Sequence, residues 1–97
     1  MEVLNNPQLT HLALGDTFKV LQIDGNAGMK MPLHHSTQEA VIIVQKGEAL
    51  LKILDEDYIL KAGDTFIIPA KKEHTLTIIT KFNAIAVMGV KSEINFK

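Results

Sequence analysis

An all-β sandwich or barrel is the fold this sequence predicts, and three observations predict it. Short apolar segments rich in Val, Ile, Leu and Phe recur between turn residues at spacings of roughly 8 to 12 positions. The breaks carry turn chemistry, as in Asp24-Gly25-Asn26, Lys46-Gly47-Glu48 and Ala62-Gly63-Asp64, where residues that tolerate positive φ sit together. No segment shows the apolar stripe, three and four residues apart, that an amphipathic helix needs.

Taken in order, residues 1–14 read as an N-terminal extension. Asn5-Asn6-Pro7 is a turn or cap signal, and Leu9, Leu12 and Ala13 fit either a helical turn or an edge strand,. His11 has no nearby group to orient it and is expected at the surface or partly buried. Thr17 to Ile23 sets Phe18 and Val20 against Lys19 and predicts a strand ending at the turn Asp24-Gly25-Asn26,. Ala27 to Pro32 puts Met29 and Met31 on one face and Lys30 on the other, with Pro32 suited to an edge or a strand start,.

Ala40 to Val44 is apolar throughout and too short for a helix, so it predicts a strand covered on both faces,. Ala49 to Leu54 follows, then an acidic turn at Asp55-Glu56-Asp57 and a return strand from Tyr58 to Leu60,. Thr65 to Ile68 is a short buried strand ended by Pro69. Lys71-Lys72-Glu73 is a charged loop, Thr75 to Ile78 alternates, Lys81-Phe82-Asn83 turns, and Ala84 to Val90 closes the set. The expectation is about eight strands and little helix.

With 97 residues there is room for one core, so residues 1–97 are expected to form a single domain,. A composition of 46% apolar and 22% charged residues with a net charge of -1 lacks the basic excess that a nucleic-acid partner selects,. No stretch approaches the roughly 20 apolar residues of a membrane helix. The absence of cysteine removes thiolate chemistry and fits a reducing, cytoplasmic setting,.

Chemistry concentrates between Gly28 and Glu39. By the pleat rule His34 and Ser36 share one face, while His35, Thr37 and Glu39 share the other,. A bulge near Pro32 or at Ser36-Thr37 shifts this register by one, so two sets follow. The first is His34 with His74 and Ser36, a hydrogen-bonding floor for an organic ligand. The second, His35 with Glu39 and His74, has the two-histidine, one-carboxylate composition that leaves positions open on iron, manganese or zinc. His34 is expected inward and His35 at the rim, because Pro32 and Gly28 set the register from the N-terminal side. Met29, Met31, Phe66 and Met88 are expected to line the pocket beside Ser36, as thioethers and rings that fill apolar space.

These residues resemble the motifs of a small single-domain cupin over roughly Phe18 to Val90. Gly28 is followed by Pro32 and His34 at the spacing of the family's first motif, which Gly47-Glu48 closes. Gly63-Asp64 opens the second, with Pro69 and His74 at its matching positions. The chain departs from the motifs at Ser36, where a second histidine is usual, and at Ala40, where the glutamate falls one residue later than Glu39. Lys71 replaces an inner glycine and Ile78 an asparagine.

The resemblance implies an antiparallel double-stranded β-helix, or jelly-roll barrel. It carries over His34 and His74 as metal ligands, with His35 and Glu39 as off-register substitutes. The family's full ligand set holds iron, manganese, zinc, copper or nickel and supports dioxygenases, isomerases and decarboxylases. Two functions are therefore weighed: a binding module that holds a small molecule without turnover, and a metal-dependent enzyme built on His35, Glu39 and His74. No residue besides Glu39 is placed as an inward base, and no nucleophile has an activating neighbour, which favours the module. Strands apolar on both faces, at Ala40-Ile42-Val44 and in Phe66-Ile67-Ile68, need cover from a second sheet layer or from another subunit, and a homodimer is predicted.

Overall fold

The computed structural model describes residues 6–96; residues 1–5, including Asn5 of the expected first turn, lie outside them. Ten strands follow one another: β1 (Gln8–Leu14), β2 (Phe18–Gly25), β3 (Lys30–Ser36), β4 (Ala40–Lys46), β5 (Glu48–Ile53), β6 (Glu56–Lys61), β7 (Thr65–Ile68), β8 (His74–Ile78), β9 (Phe82–Gly89) and β10 (Ile94–Phe96). The described residues contain no helix. Hence none is long and apolar enough to cross a membrane.

All pairings are antiparallel and form two five-stranded sheets, ordered β1-β2-β9-β4-β7 and β10-β3-β8-β5-β6. Apart from the hairpins β1–β2 and β5–β6, each connection carries the chain from one sheet to the other. This is the double-stranded β-helix, and its inner faces bury one shared core. Leu21, Ile23, Ile42, Val44 and Met88 supply it from the first sheet, and Met31, Leu51, Leu76 and Ile78 from the second.

Eight strands are expected from sequence; the two additional ones are the sheet edges β1 and β10. β1 is the edge-strand alternative for residues 8–14, broken by a bulge between His11 and Ala13. β10 is only three residues long, too short for its alternation of Ile94 and Phe96 around Asn95 to stand out.

Three turns also move. Gly28, with φ of 91°, makes the turn before β3, and Gly25 instead ends β2. The β5–β6 connection is Leu54-Asp55 alone, since Ile53 already pairs with Glu56. Phe82 lies not in a turn but at the start of β9, 1% exposed. A phenylalanine between Lys81 and Asn83 reads locally as part of a polar break, but opposite Gly25 in the pairing it fills the barrel end.

Ala40, Ile42, Val44 and Ile68, expected to need cover from a second sheet layer or another subunit, are covered by the second sheet in the shared core. The outward residues of these runs are Val41, Ile43 and Ile67, the last two 37% and 59% exposed.

Candidate functional site

The site is set by a break in β3. Met31 pairs with Leu76 and His34 with His74, so the ladder slips between them. Pro32 has no N–H to give to the ladder, and Pro32 and Leu33 are both exposed in succession. The extra residue reverses the alternation beyond it. Met31, His34 and Ser36 are therefore all buried, while the intermediate His35 lies on the opposite face, paired in register with Asn95 of β10.

The buried residues line a cavity of about 40 Å³ between the sheets. By volume it holds about three water centres. Its wall is aliphatic and thioether, with Leu21, Met31, Ile42, Leu51 and Met88 among the lining, and has three polar members: His34, Ser36 and His74. These three are 4%, 4% and 3% exposed. Leu9 and Ile94, from edge strands β1 and β10, complete the lining on one side. On the other side Tyr58 of β6 meets Phe66 of β7, ring centres 4.9 Å apart.

His34 Nδ1 lies 2.6 Å from the carbonyl oxygen of Pro32, and His74 Nδ1 lies 2.9 Å from that of Lys72. A carbonyl only accepts, so both Nδ1 atoms carry hydrogen and donate it. When the rings are neutral, each Nε2 then holds a lone pair. Burial pushes both pKa values below the ordinary 6.5; the main-chain hydrogen bonds oppose this in part, and repulsion from neighbouring histidines adds to it,. The rings stand edge to face, with centroids 4.1 Å apart and a 60° angle between planes. Phe96, half exposed on β10, covers the outer side of His34 at 5.1 Å.

Of the expected pocket residues, Met31, Ser36 and Met88 line this cavity, whereas Met29 and Phe66 do not. Those two pack against the core's margin, Met29 accepting the N–H of Asn26 on its sulfur. Glu39 is exposed in the link to β4, beside Phe18 and Lys91. The structure thus joins His34 to His74 and does not join His35 or Glu39 to either. Among the residues missed from sequence are Leu9, Ile94 and Phe96, which sit on the edge strands β1 and β10.

A closed β-helix with a small, mostly apolar interior that holds two imidazoles is the class of protein that fold and cavity define. The chain belongs to the cupin family: the cupin domain model matches residues 20–88. No curated protein is significantly similar to it in sequence. A conserved protein of unknown function from Streptococcus pyogenes has a similar structure, with TM-score 0.77 and 24% identity over 92% of this chain and 77% of that one. An uncharacterised conserved double-stranded β-helix protein from Klebsiella pneumoniae superposes with TM-score 0.85 at 17% identity, covering 99% of this chain and 83% of the other. The DMSP lyase DddQ of Ruegeria pomeroyi gives TM-score 0.84 at 17% identity, over 95% of this chain but only 52% of the lyase. At these identities the likeness is one of fold, and the fold serves more than one chemistry.

Many cupins hold a metal, and the donor set here does not fit one. Among the described residues no three His, Cys, Asp or Glu side chains come together. A catalytic site needs at least three protein ligands. The cavity offers two imidazole nitrogens and one neutral hydroxyl, while the nearest sequence candidates for a third ligand, His35 and Glu39, face elsewhere.

Proposed function

We propose that this cupin binds a small organic molecule between its sheets, with a donor group of the ligand placed on Nε2 of His34 or His74. One observation carries the reading: both Nδ1 hydrogens are committed to main-chain carbonyls, so the interior presents acceptors in an otherwise apolar wall. An alcohol or amine head gives the lone pair on Nε2 a donor, while its carbon skeleton meets the aliphatic lining. The cavity of about 40 Å³ admits a head group of few heavy atoms. A longer ligand requires Leu9 and Ile94 to move apart, since they come from the two edge strands.

The test compares two probes of nearly equal size, 2-propanol, which donates a hydrogen bond, and acetone, which only accepts one. Ring nitrogen resonances of His34 and His74 are followed by NMR as each is added. The expected result is a saturable shift of Nε2 with 2-propanol and none with acetone. Equal responses to both, or no response to the alcohol, would sink the proposal. The metal-enzyme alternative predicts something else: one metal per chain in untagged protein, lost in both His74→Ala and Glu39→Ala.

A further inference from the structure

Three polar side chains reach the cavity, and their places along the strands set a pattern. His34 of β3 stands directly opposite His74 of β8, and Ser36 follows two residues on in β3, on the same buried face. Ser36 is held from both sides: it pairs with Ile94 of β10, and its carbonyl accepts the Lys71 N–H at 2.7 Å. With both Nδ1 hydrogens given to main-chain carbonyls, the imidazoles offer two lone pairs. The Ser36 hydroxyl adds a donor beside them.

Common polar head groups fill this pattern unequally. A carboxylate brings only acceptors and meets two lone pairs. An alcohol has one hydrogen to give and leaves one imidazole unmet. An alkylamine is an ammonium ion in water at pH 7, and losing that proton weakens its binding about a thousandfold. Kept charged, it enters a wall that holds no carboxylate,. A primary carboxamide stays neutral, with two N–H donors on one nitrogen and an acceptor next to it.

We infer that the head group held in this cavity is a primary carboxamide, R–C(=O)NH2. Its nitrogen gives one hydrogen to Nε2 of His34 and the other to Nε2 of His74, while its oxygen accepts the hydrogen of the Ser36 hydroxyl. The inference rests on the binding of a donor group at these Nε2 atoms, proposed above, and names that group.

The dimensions agree. Two acceptors each about 2.9 Å from one amide nitrogen stand about 5 Å apart, because its N–H bonds diverge by about 120°. Ring atoms displaced to either side of centroids 4.1 Å apart reach that separation. Ser36 lies one pleat repeat from His34, about 7 Å along the strand. An amide's oxygen and nitrogen are about 2.2 Å apart, so with a hydrogen bond at each end the group spans about 7–8 Å. Its three heavy atoms suit a cavity of about 40 Å³, room for about three water centres,. The R group then meets Leu21, Ile42, Leu51 and Met88. Burial lowers both imidazole pKa values, which keeps the rings neutral and their lone pairs free at pH 7,.

Acetamide has as many heavy atoms as 2-propanol and acetone, so the three probes differ chiefly in hydrogen bonding. Ring-nitrogen NMR of His34 and His74 follows each titration at neutral pH. Acetamide should shift both Nε2 resonances on one saturation curve. Its half-saturation should fall at least tenfold below that of 2-propanol, since it makes two further hydrogen bonds at about fivefold each. Ser36→Ala, checked as folded by circular dichroism, should weaken acetamide about fivefold. The inference is overturned if 2-propanol saturates while acetamide binds no more tightly, if acetamide shifts one ring only, or if Ser36→Ala leaves its affinity unchanged. The broader binding reading survives those three results. Silence from 2-propanol and acetamide alike removes both.

Discussion

His34 and His74 are direct cross-strand partners, and each is tethered in the same way, Nδ1 to the carbonyl two residues earlier in its own chain segment. Two buried neutral imidazoles 4.1 Å apart have a consequence for acid stability. Both pKa values are lowered, first by burial, so on acidification the unfolded chain takes up protons before the folded one. Stability is whole above about pH 6.5 and erodes as pH falls below it; the erosion ends once pH has passed the lowered folded values. Urea unfolding between about pH 7.5 and 5.5 should show this slope, and His34→Gln combined with His74→Gln should flatten it. An unchanged slope in the double variant would assign the effect to other groups.

Leu54 and Lys71 hold φ values of 54° and 65°, a region that side chains with a Cβ enter at a cost,. Lys71 occupies the place where the cupin motif has glycine, and its N–H donates to the carbonyl of Ser36 at 2.7 Å, so the strained turn is tied to the site strand. Lys71→Gly and Leu54→Gly should each raise stability by about 1 kcal/mol, read as a higher urea midpoint at constant m-value. A lower midpoint in either variant contradicts the strain argument.

Gly47 and Gly63 separate two demands on glycine. Both have positive φ, 79° and 92°, but a Cβ at Gly63 meets open space, whereas one at Gly47 would overlap the Lys81 carbonyl. Gly63→Ala should cost about 1–2 kcal/mol, the conformational part alone. Gly47→Ala should cost clearly more, because main chain has to move. Comparable losses in the two variants would show that the close approach to Lys81 does not matter.

Phe82 closes one end of the barrel at 1% exposure, between charged and polar chain neighbours. Phe82→Ala should cost about 3–5 kcal/mol, by lost burial and the space left behind. A loss below about 1 kcal/mol would mean that this end of the core collapses to fill the gap.

Much of this fold is legible in the chain. The apolar alternation of Leu21-Ile23, Leu51-Ile53 and Leu76-Ile78 declares strands, because side chains alternate across a pleat,. Gly47 and Gly63 mark turns, because few other residues take positive φ cheaply,. Where local signals fail, a pairing made elsewhere in the chain is responsible. Phe82 reads as a turn residue until Gly25 is set opposite it, and Ile94 and Phe96 become a strand only beside Ser36 and His34.

By itself, then, the sequence determined a one-core β protein of the cupin type, the positions of most strands, and the two segments that carry its buried imidazoles. Sequence left two ligand sets open, with His34 expected inward; the tertiary structure decided between them, burying His34 with His74 and leaving His35 and Glu39 outside the cavity. The slip that turns His34 inward lies at Pro32, and it is defined against β8, some forty residues away in the chain. Period-two patterning is local, but register is a property of two strands at once.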